Sequence, residues 1–288
     1  MLRLKARAKI NWALDVCALR EDGYHEVDLL LQSVDFGDEV ELERKPAGIS
    51  LACDLPGIPQ DVRNLAWRAA ELMQRTFSRE DGVAITLHKA VPAQAGLGGG
   101  SGDAAAVMVG LRKLWDLEIE DEALEQLAAQ LGADVPFMIR GGLARARGFG
   151  ERLERLCTPE DWPILIVKPR QGLPTAEVFR AWDQTAYPYH PDMDGITRAL
   201  VQGERGEVAH LMGNSLQKAA GALCPEVEAA CEALQSAGAL GSVMSGSGSA
   251  VLGLFADEAG LDAAHAALSG RYPICIRTRS ARASIAWL

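Results

Sequence analysis

No run of about 18 apolar residues occurs in this 288-residue chain, so no segment reads as a membrane-spanning helix. The basic start, MLRLKARAKINWALDV, is broken by Lys9, Asn11 and Asp15 and does not read as a signal peptide. The six cysteines (Cys17, Cys53, Cys157, Cys224, Cys231 and Cys275) make no Cys-x-x-Cys pair, and the five histidines share no metal-ligand spacing. Cys224 and Cys231 stand at a same-face helical spacing that fits packing. Reduced thiols, and with them a cytoplasmic location, are expected. Positive charge is also short, with 29 Lys and Arg against 39 Asp and Glu and a net charge of −10. That balance argues against nucleic acid as the main partner, since a phosphate backbone needs a basic face. A small anion held by a few N–H groups and lysines remains compatible with it. Internal repeats and low-complexity segments are absent too.

What is present is enough apolar material for a sizeable core: hydrophobic residues make up 48% of the chain. The length suggests two packed units of about 140 residues. The stretch Pro92–Trp115, PAQAGLGGGSGDAAAVMVGLRKLW, stands out. Its first half has too little side chain for a regular element, and Gly99 and Gly100 are expected to need positive φ or close backbone approach. Its second half is apolar nearly all round and reads as a buried helix. A glycine loop feeding a helix N-terminus is an anion site, most often for phosphate, although a glycine-rich turn without ligand has the same composition. No Gly-Lys-Ser/Thr follows the glycines, which excludes a Walker A loop. A dinucleotide-binding fold fails as well, because the chain after Trp115 enters another helix-like run (Asp121–Leu131) rather than a strand.

Taken in order, Leu2–Val16 alternates as a strand with Ile10, Trp12, Leu14 and Val16 on one side, ending at an Asp22-Gly23 turn. Glu26–Val34 and Asp38–Glu43 read as separate strands, Asn64–Arg75 as a helix and Val83–His88 as a strand leading into the glycines. A short strand is expected over Leu143–Ala146 and a domain boundary between Cys157 and Trp162, dividing the chain into 1–157 and 158–288. Beyond it come a strand at Ile164–Val167, a helix through Trp182 with Thr175 as N-cap, and a loop over Asp183–Asp194. Helices are expected near Ile196–Leu200, Glu204–Leu216, Pro225–Ala237 and Asp257–Leu268, with strands at Gly241–Met244, Ala250–Phe255 and Pro273–Thr278. The second half thus reads as a split β-α-β sheet.

Packing leaves three polar clusters unexplained: Lys9 with Asn11, Tyr24 with His25, and Asp134. Lys9, inside an apolar strand, must either leave for solvent at a sheet edge or face an anion. Asp134, between Gly132-Ala133 and Val135-Pro136, is placed as a helix N-cap or as a reactive carboxylate. A lysine, a carboxylate and a phosphate loop together supply what phosphoryl transfer requires.

Five segments occur in order: Ala8-Lys9-Ile10-Asn11, Arg20-x-Asp22-Gly23-Tyr24-His25, the run from Pro92 to Ala105, Gly132-Ala133-Asp134-Val135-Pro136-Phe137, and Ser245-Gly246-Ser247-Gly248-Ser249. With them the chain resembles the GHMP kinase superfamily over nearly its whole length. The second and fourth segments narrow the resemblance to the kinases acting on 4-diphosphocytidyl-2-C-methyl-D-erythritol. The resemblance implies a two-domain α/β (α+β) GHMP kinase fold, with a ribosomal-protein-S5-like N-terminal domain and a ferredoxin-like C-terminal domain. It implies ATP as co-substrate with Mg2+, and transfer of the γ-phosphate to the acceptor's 2-hydroxyl in the non-mevalonate isoprenoid-precursor pathway. Partners are then small molecules, with no nucleic acid or membrane, and the protein a monomer or weak homodimer.

By the same resemblance Lys9 and Asp134 form the catalytic pair. The ATP site comprises Pro92, Ala93, Gln94, Ala95, Gly96, Leu97, Gly98, Gly99, Gly100, Ser101 and Gly102, with Asn64 and Lys89 at the side and Ser101 as the candidate metal contact. The acceptor meets Asn11, Tyr24, His25, Asp134, Thr175 and Phe179, with the aromatic residues and His25 clasping the cytosine. Phe179 also fits a core position, since Val178 and Phe179 follow Thr175 at ordinary helical spacing. The chain departs from the family pattern at Gly102, where a second serine is usual, at Asn214-Ser215 in place of Asn-Asp, and at Trp12.

Overall fold

Two long antiparallel strands organise the first half of the chain, β1 (Leu2–Leu19) and β2 (His25–Lys45). The computed structural model describes every residue except 20–22, 24, 158–160 and 187, so Tyr24 lies outside the described residues. The two strands expected over Glu26–Val34 and Asp38–Glu43 are one continuous strand. Gly37 allows this: a Cβ there would lie 2.2 Å from the Ala6 carbonyl oxygen, so only glycine lets β2 pass β1 at that point.

Next come β3 (Ile49–Cys53), α1 (Leu65–Thr76), β4 (Gly82–His88), α2 (Gly99–Leu114), α3 (Asp121–Ala128), α4 (Val135–Arg140), β5 (Leu143–Gly148) and β6 (Arg152–Leu156). The second half runs β7 (Pro163–Lys168), α5 (Thr175–Asp183), α6 (Met193–Gln202), α7 (Arg205–Leu211), β8 (Gly213–Asn214), α8 (Gln217–Leu223) and α9 (Glu226–Ser236). It ends with β9 (Gly241–Met244), β10 (Val251–Leu254), α10 (Glu258–Leu268), β11 (Ile274–Arg279) and β12 (Ile285–Trp287).

One sheet has the order β12-β1-β2-β4-β3, extended by β5 beside β2, β6 beside β5 and β8 beside β1. The other is antiparallel with the order β11-β7-β10-β9. Numbered along the second half this is 4-1-3-2, the ferredoxin-like arrangement. The last strand, β12, pairs with β1 through Leu4 and Trp287, so the C-terminus returns to the first sheet. Periodicity does not mark β6, β8, α8 or β12; of these short pieces β8 and β12 are fixed by pairing with β1, far away in sequence. The helix expected over Glu204–Leu216 stops at Leu211 because Gly213 and Asn214 pair in parallel with Ala13 and Leu14.

Register shifts interrupt the β1–β2 pairing between Arg7 and Lys9 and again between Asn11 and Ala13. Each shift turns the following side chains to the other face. Leu4, Ala6, Leu14 and Val16 therefore pack in one core cluster and Ala8, Ile10 and Trp12 in another. The expectation that Ile10, Trp12, Leu14 and Val16 share one side is corrected accordingly. Between the two bulges Lys9 and Asn11 point away from the Ile10 and Trp12 core.

α2 is buried without a break from Gly102 to Leu111, as its composition suggested. It is tied to the sheet through a buried cluster. Lys89 Nζ donates to Asp38 Oδ2 and, at 2.6 Å, to Asp103 Oδ2, while Asp38 Oδ1 accepts from the Ala90 and Val91 amides at 2.6 and 2.7 Å. Two carboxylates thus share one ammonium away from water, and Asp103 Oδ1 has no hydrogen-bond partner among the described residues. Burial first, then the Asp38 charge, pushes the Asp103 carboxyl up to about 7 against the pull of Lys89. Folded chains hold this proton where unfolded ones have released it. The group's contribution to stability is therefore complete below its ordinary 3.8 and is lost as pH rises through about 7. Asp103→Asn should remove this loss, which is at most about 1.4 kcal/mol per pH unit. Thermal unfolding at acid and at mildly alkaline pH checks it: the wild type should lose more stability than the variant, and parallel losses would contradict the shared-proton cluster.

Candidate active site

A cavity of about 880 Å³ opens where the two sheets' loops meet. Its wall includes Lys9 and Asn11 from β1, His25 from β2, Gln94, Gly96, Gly98 and Ser101 from the glycine segment, and Asp134 at the start of α4. From the second half come Thr175, Phe179, Arg180 and Asp183 on α5 and Gly246, Ser247 and Gly248.

Lys9 is no solvated edge residue. Its side chain is 5% exposed, and its Nζ donates to Asn11 Oδ1 at 2.8 Å and lies 3.6 Å from Asp134 Oδ2. Positions two apart in a strand share a face, which brings Asn11 to the lysine. Asn11 Nδ2 is buried with no hydrogen-bond partner among the described residues. Asp134 occupies the N-cap position of α4 with helical φ and ψ of −80° and −19° and makes no capping hydrogen bond. The capping reading is thereby removed, and its carboxylate is left facing the cavity and Lys9.

Two loops close over the lysine. The Lys9 amide donates to the Leu97 carbonyl at 3.0 Å, and the Ala250 amide to that of Ala95 at 3.2 Å. Ser245 Oγ accepts from the Asn11 amide at 3.3 Å and donates to the Gly96 carbonyl at 3.1 Å. Asn214 fixes the serine loop, its Nδ2 donating to the Met244 and Gly246 carbonyls, each at 2.8 Å, while its Oδ1 accepts from the Leu216 amide. Ser215 Oγ donates to Asp15 Oδ1 at 2.6 Å. Asn214 and Ser215 therefore hold the loop and β1 in place.

The helix begins earlier than expected, with Gly99, Gly100 and Gly102 already inside α2. Positive φ falls on Gly96 (73°) and Gly98 (70°) and not on Gly99 or Gly100, where it is one of the two expected needs. Gly98 is the N-cap with no side chain to offer, so the first N–H groups of α2 keep no internal acceptor, beside a cavity that Gly98 and Ser101 line. A Cβ at Gly98 would lie 3.0 Å from Lys9 Cγ, and one at Gly96 would lie 2.0 Å from the Ser245 carbonyl oxygen.

Other expected site residues stand apart from the cavity. Ala95 and Leu97 are core residues, 2% and 1% exposed. Gly102 packs toward the Arg7 carbonyl. Asn64 caps α1, accepting from the Ala66 amide and donating to the Pro59 carbonyl. Lys89 belongs to the Asp38 and Asp103 cluster, and Pro92, Ala93, Gly99 and Gly100 are not in the wall. Thr175 is not the cap of α5, a place taken by Pro174; its Oγ1 instead meets Ser247 Oγ at 2.9 Å.

Val178 is the buried residue of α5, and the half-buried Phe179 faces both core and cavity. The His25 ring lies 4.8 Å from the Phe179 ring and 5.6 Å, edge-on, from that of Trp182. Sequence reasoning missed Arg180, Asp183, Phe149 and the serine-loop glycines as lining residues. Asp183 sits one helical turn beyond Phe179, and that spacing was the available signal.

The two segments of glycines can be separated experimentally. Gly96→Ala introduces a side chain at positive φ against a carbonyl and should lower stability by about 1–3 kcal/mol. Gly100→Ala, in a helix with its nearest neighbour at 3.8 Å, should be neutral or slightly stabilising. Thermal unfolding of both variants checks this; equal effects would contradict the loop geometry.

Residues 64–142 match the GHMP kinases N terminal domain, and residues 196–274 match GHMP kinases C terminal. The chain is 45% identical to the 4-diphosphocytidyl-2-C-methyl-D-erythritol kinase of Pelotomaculum thermopropionicum, over 88% of each sequence. A crystal structure of 4-(cytidine 5'-diphospho)-2C-methyl-D-erythritol kinase superposes with a TM-score of 0.83 at 35% identity, covering 97% of this chain and 99% of that one. The crystal structure of a homoserine kinase from Cytophaga hutchinsonii shares the fold, with a TM-score of 0.81 at 19% identity over 100% of this chain and 97% of that one. An ammonium beside a carboxylate under a glycine-capped helix start agrees with these matches, and the chain belongs to the 4-diphosphocytidyl-2-C-methyl-D-erythritol kinase family of GHMP kinases.

Proposed function

We propose that the chain transfers the γ-phosphate of ATP to the 2-hydroxyl of 4-diphosphocytidyl-2-C-methyl-D-erythritol, giving the 2-phosphate and ADP. The observation that carries this reading is the 3.6 Å approach of Lys9 Nζ to Asp134 Oδ2 at the wall shared with Gly98 and Ser101. ATP is the co-substrate that the GHMP kinase family implies. Its phosphates lie along Gly96, Gly98 and Ser101, where the free N–H groups of α2 and the helix dipole favour negative charge. A division into units 1–157 and 158–288 is part of the same proposal, supported by the two sheets, although β8 and β12 return to the first.

Asp134 accepts the proton of the acceptor hydroxyl as its oxygen attacks the γ-phosphorus and the bond to the bridging oxygen breaks. Lys9 stabilises the charge on the phosphoryl group in flight and is kept oriented by Asn11. No group of three His, Cys, Asp or Glu stands together among the described residues. Ser101 Oγ, on the cavity wall, would be the protein contact for Mg2+, which would take its other ligands from phosphates and water and would neutralise phosphate charge. The cytidyl end rests against His25 and Phe179, with Thr175 beside the serine loop.

ATP consumption with the cytidyl substrate, run beside homoserine and mevalonate, tests the assignment; turnover of either control in preference to it overturns the reading. Asp134→Asn should reduce kcat by about 10²–10⁴-fold, and Lys9→Ala by about 10²–10³-fold, with the ATP affinity of Asp134→Asn nearly unchanged. Near wild-type turnover in either variant would contradict the assigned roles.

A further inference from the structure

His25 is held on three sides by one helix. Phe179, Trp182 and Asp183 occupy positions i, i+3 and i+4 of α5 and so share a helical face. Phe179 faces the imidazole plane at 4.8 Å with the rings tilted by 31°, and Trp182 meets the ring edge-on at 5.6 Å. Asp183 Oδ1 lies 2.7 Å from His25 Nε2. The imidazole is 10% exposed, so little freedom is left to the ring.

We infer that Asp183 is a positioning residue that locks His25 in the tautomer carrying its proton on Nε2, and that the lock makes the site select a pyrimidine bearing an exocyclic amine over one bearing a carbonyl. A carboxylate only accepts hydrogen bonds, so Nε2 must donate to it. In the neutral ring the other nitrogen, Nδ1, is then an obligate acceptor, because the bond at one ring nitrogen sets the state of the other. His25 lines the cavity, and an acceptor nitrogen of its ring pairs with an amine and opposes a carbonyl oxygen. A polar site left unpaired by the wrong edge rejects it more strongly than any apolar contact can. Asparagine at position 183 would keep the size of the side chain but could either accept or donate, and the tautomer would no longer be enforced. This inference deepens the proposed reading and rests on it for the identity of the base, but the tautomer itself does not depend on substrate.

Two measurements on Asp183→Asn and Asp183→Glu decide it. Nitrogen-15 NMR of His25 in the ligand-free protein should show protonation on Nε2 in the wild type and a mixture of tautomers in Asp183→Asn. Competition between the cytidyl substrate and its uridyl counterpart should show the kcat/KM preference for the cytidyl form falling roughly tenfold in Asp183→Asn. The change should lie in the KM for the acceptor, with the KM for ATP unmoved and the preference regained in Asp183→Glu. An unchanged cytidyl-to-uridyl ratio, or an unchanged tautomer in Asp183→Asn, overturns the inference. A wild type that ignores both pyrimidine substrates overturns the proposed function and, with it, the selectivity half of the inference, while the NMR result still decides the lock.

Discussion

A lysine ammonium kept almost wholly from water is what the site is built to hold. Desolvating a charge costs several kcal/mol unless partners replace the lost water. For Lys9 these partners are Asn11 and Asp134, and both are brought to it by backbone features. The register shifts that flank them in the β1–β2 pairing present Lys9 and Asn11 together, and the α4 start places Asp134 opposite. The glycine segment and the serine loop then cover the lysine from two parts of the chain far apart in sequence. A Cβ at Gly246 would lie 3.4 Å from Lys9 Nζ, so even the covering loop has little side chain to spare there.

The same constraint explains where glycine is indispensable. Gly96 and Gly98 carry the positive φ and the close approaches, the first against the serine loop and the second against Lys9 itself. Gly99, Gly100 and Gly102 are helical, and their lack of side chain serves packing or access. Position 102, where the family usually has serine, lies in the buried first turns of α2 near β1 and outside the cavity wall. Asn214 donates twice to the backbone of the serine loop and accepts from its own helix start, while Ser215, the residue of that pair that departs from the family pattern, donates to Asp15.

Long regular elements were legible in the sequence because their signals are local. The buried run of α2, the strand at Val83–His88 and the split β-α-β character of the second half follow from composition, periodicity and order of elements. The misreadings occurred where a distant partner decides. β8 and β12 exist because β1 offers them an edge, and the two expected strands fuse because Gly37 can pass the backbone of Ala6. Lys9 and Asp134 were each ambiguous alone, since strand lysines reach solvent and aspartates cap helices. Their proximity removes the ambiguity, and proximity across 125 positions is not a local property. Lys89 shows the converse, a lysine beside the glycine segment that is consumed by Asp38 and Asp103.

The proposed action of Lys9 and Asp134 as a unit on one transfer step is tested by a double-mutant cycle in kcat. Groups that act as a unit lose their effect together, so Lys9→Ala combined with Asp134→Asn should be about as slow as the slower single variant. Fully multiplicative losses, the product of the two single effects, would mean independent contributions and would contradict the claim.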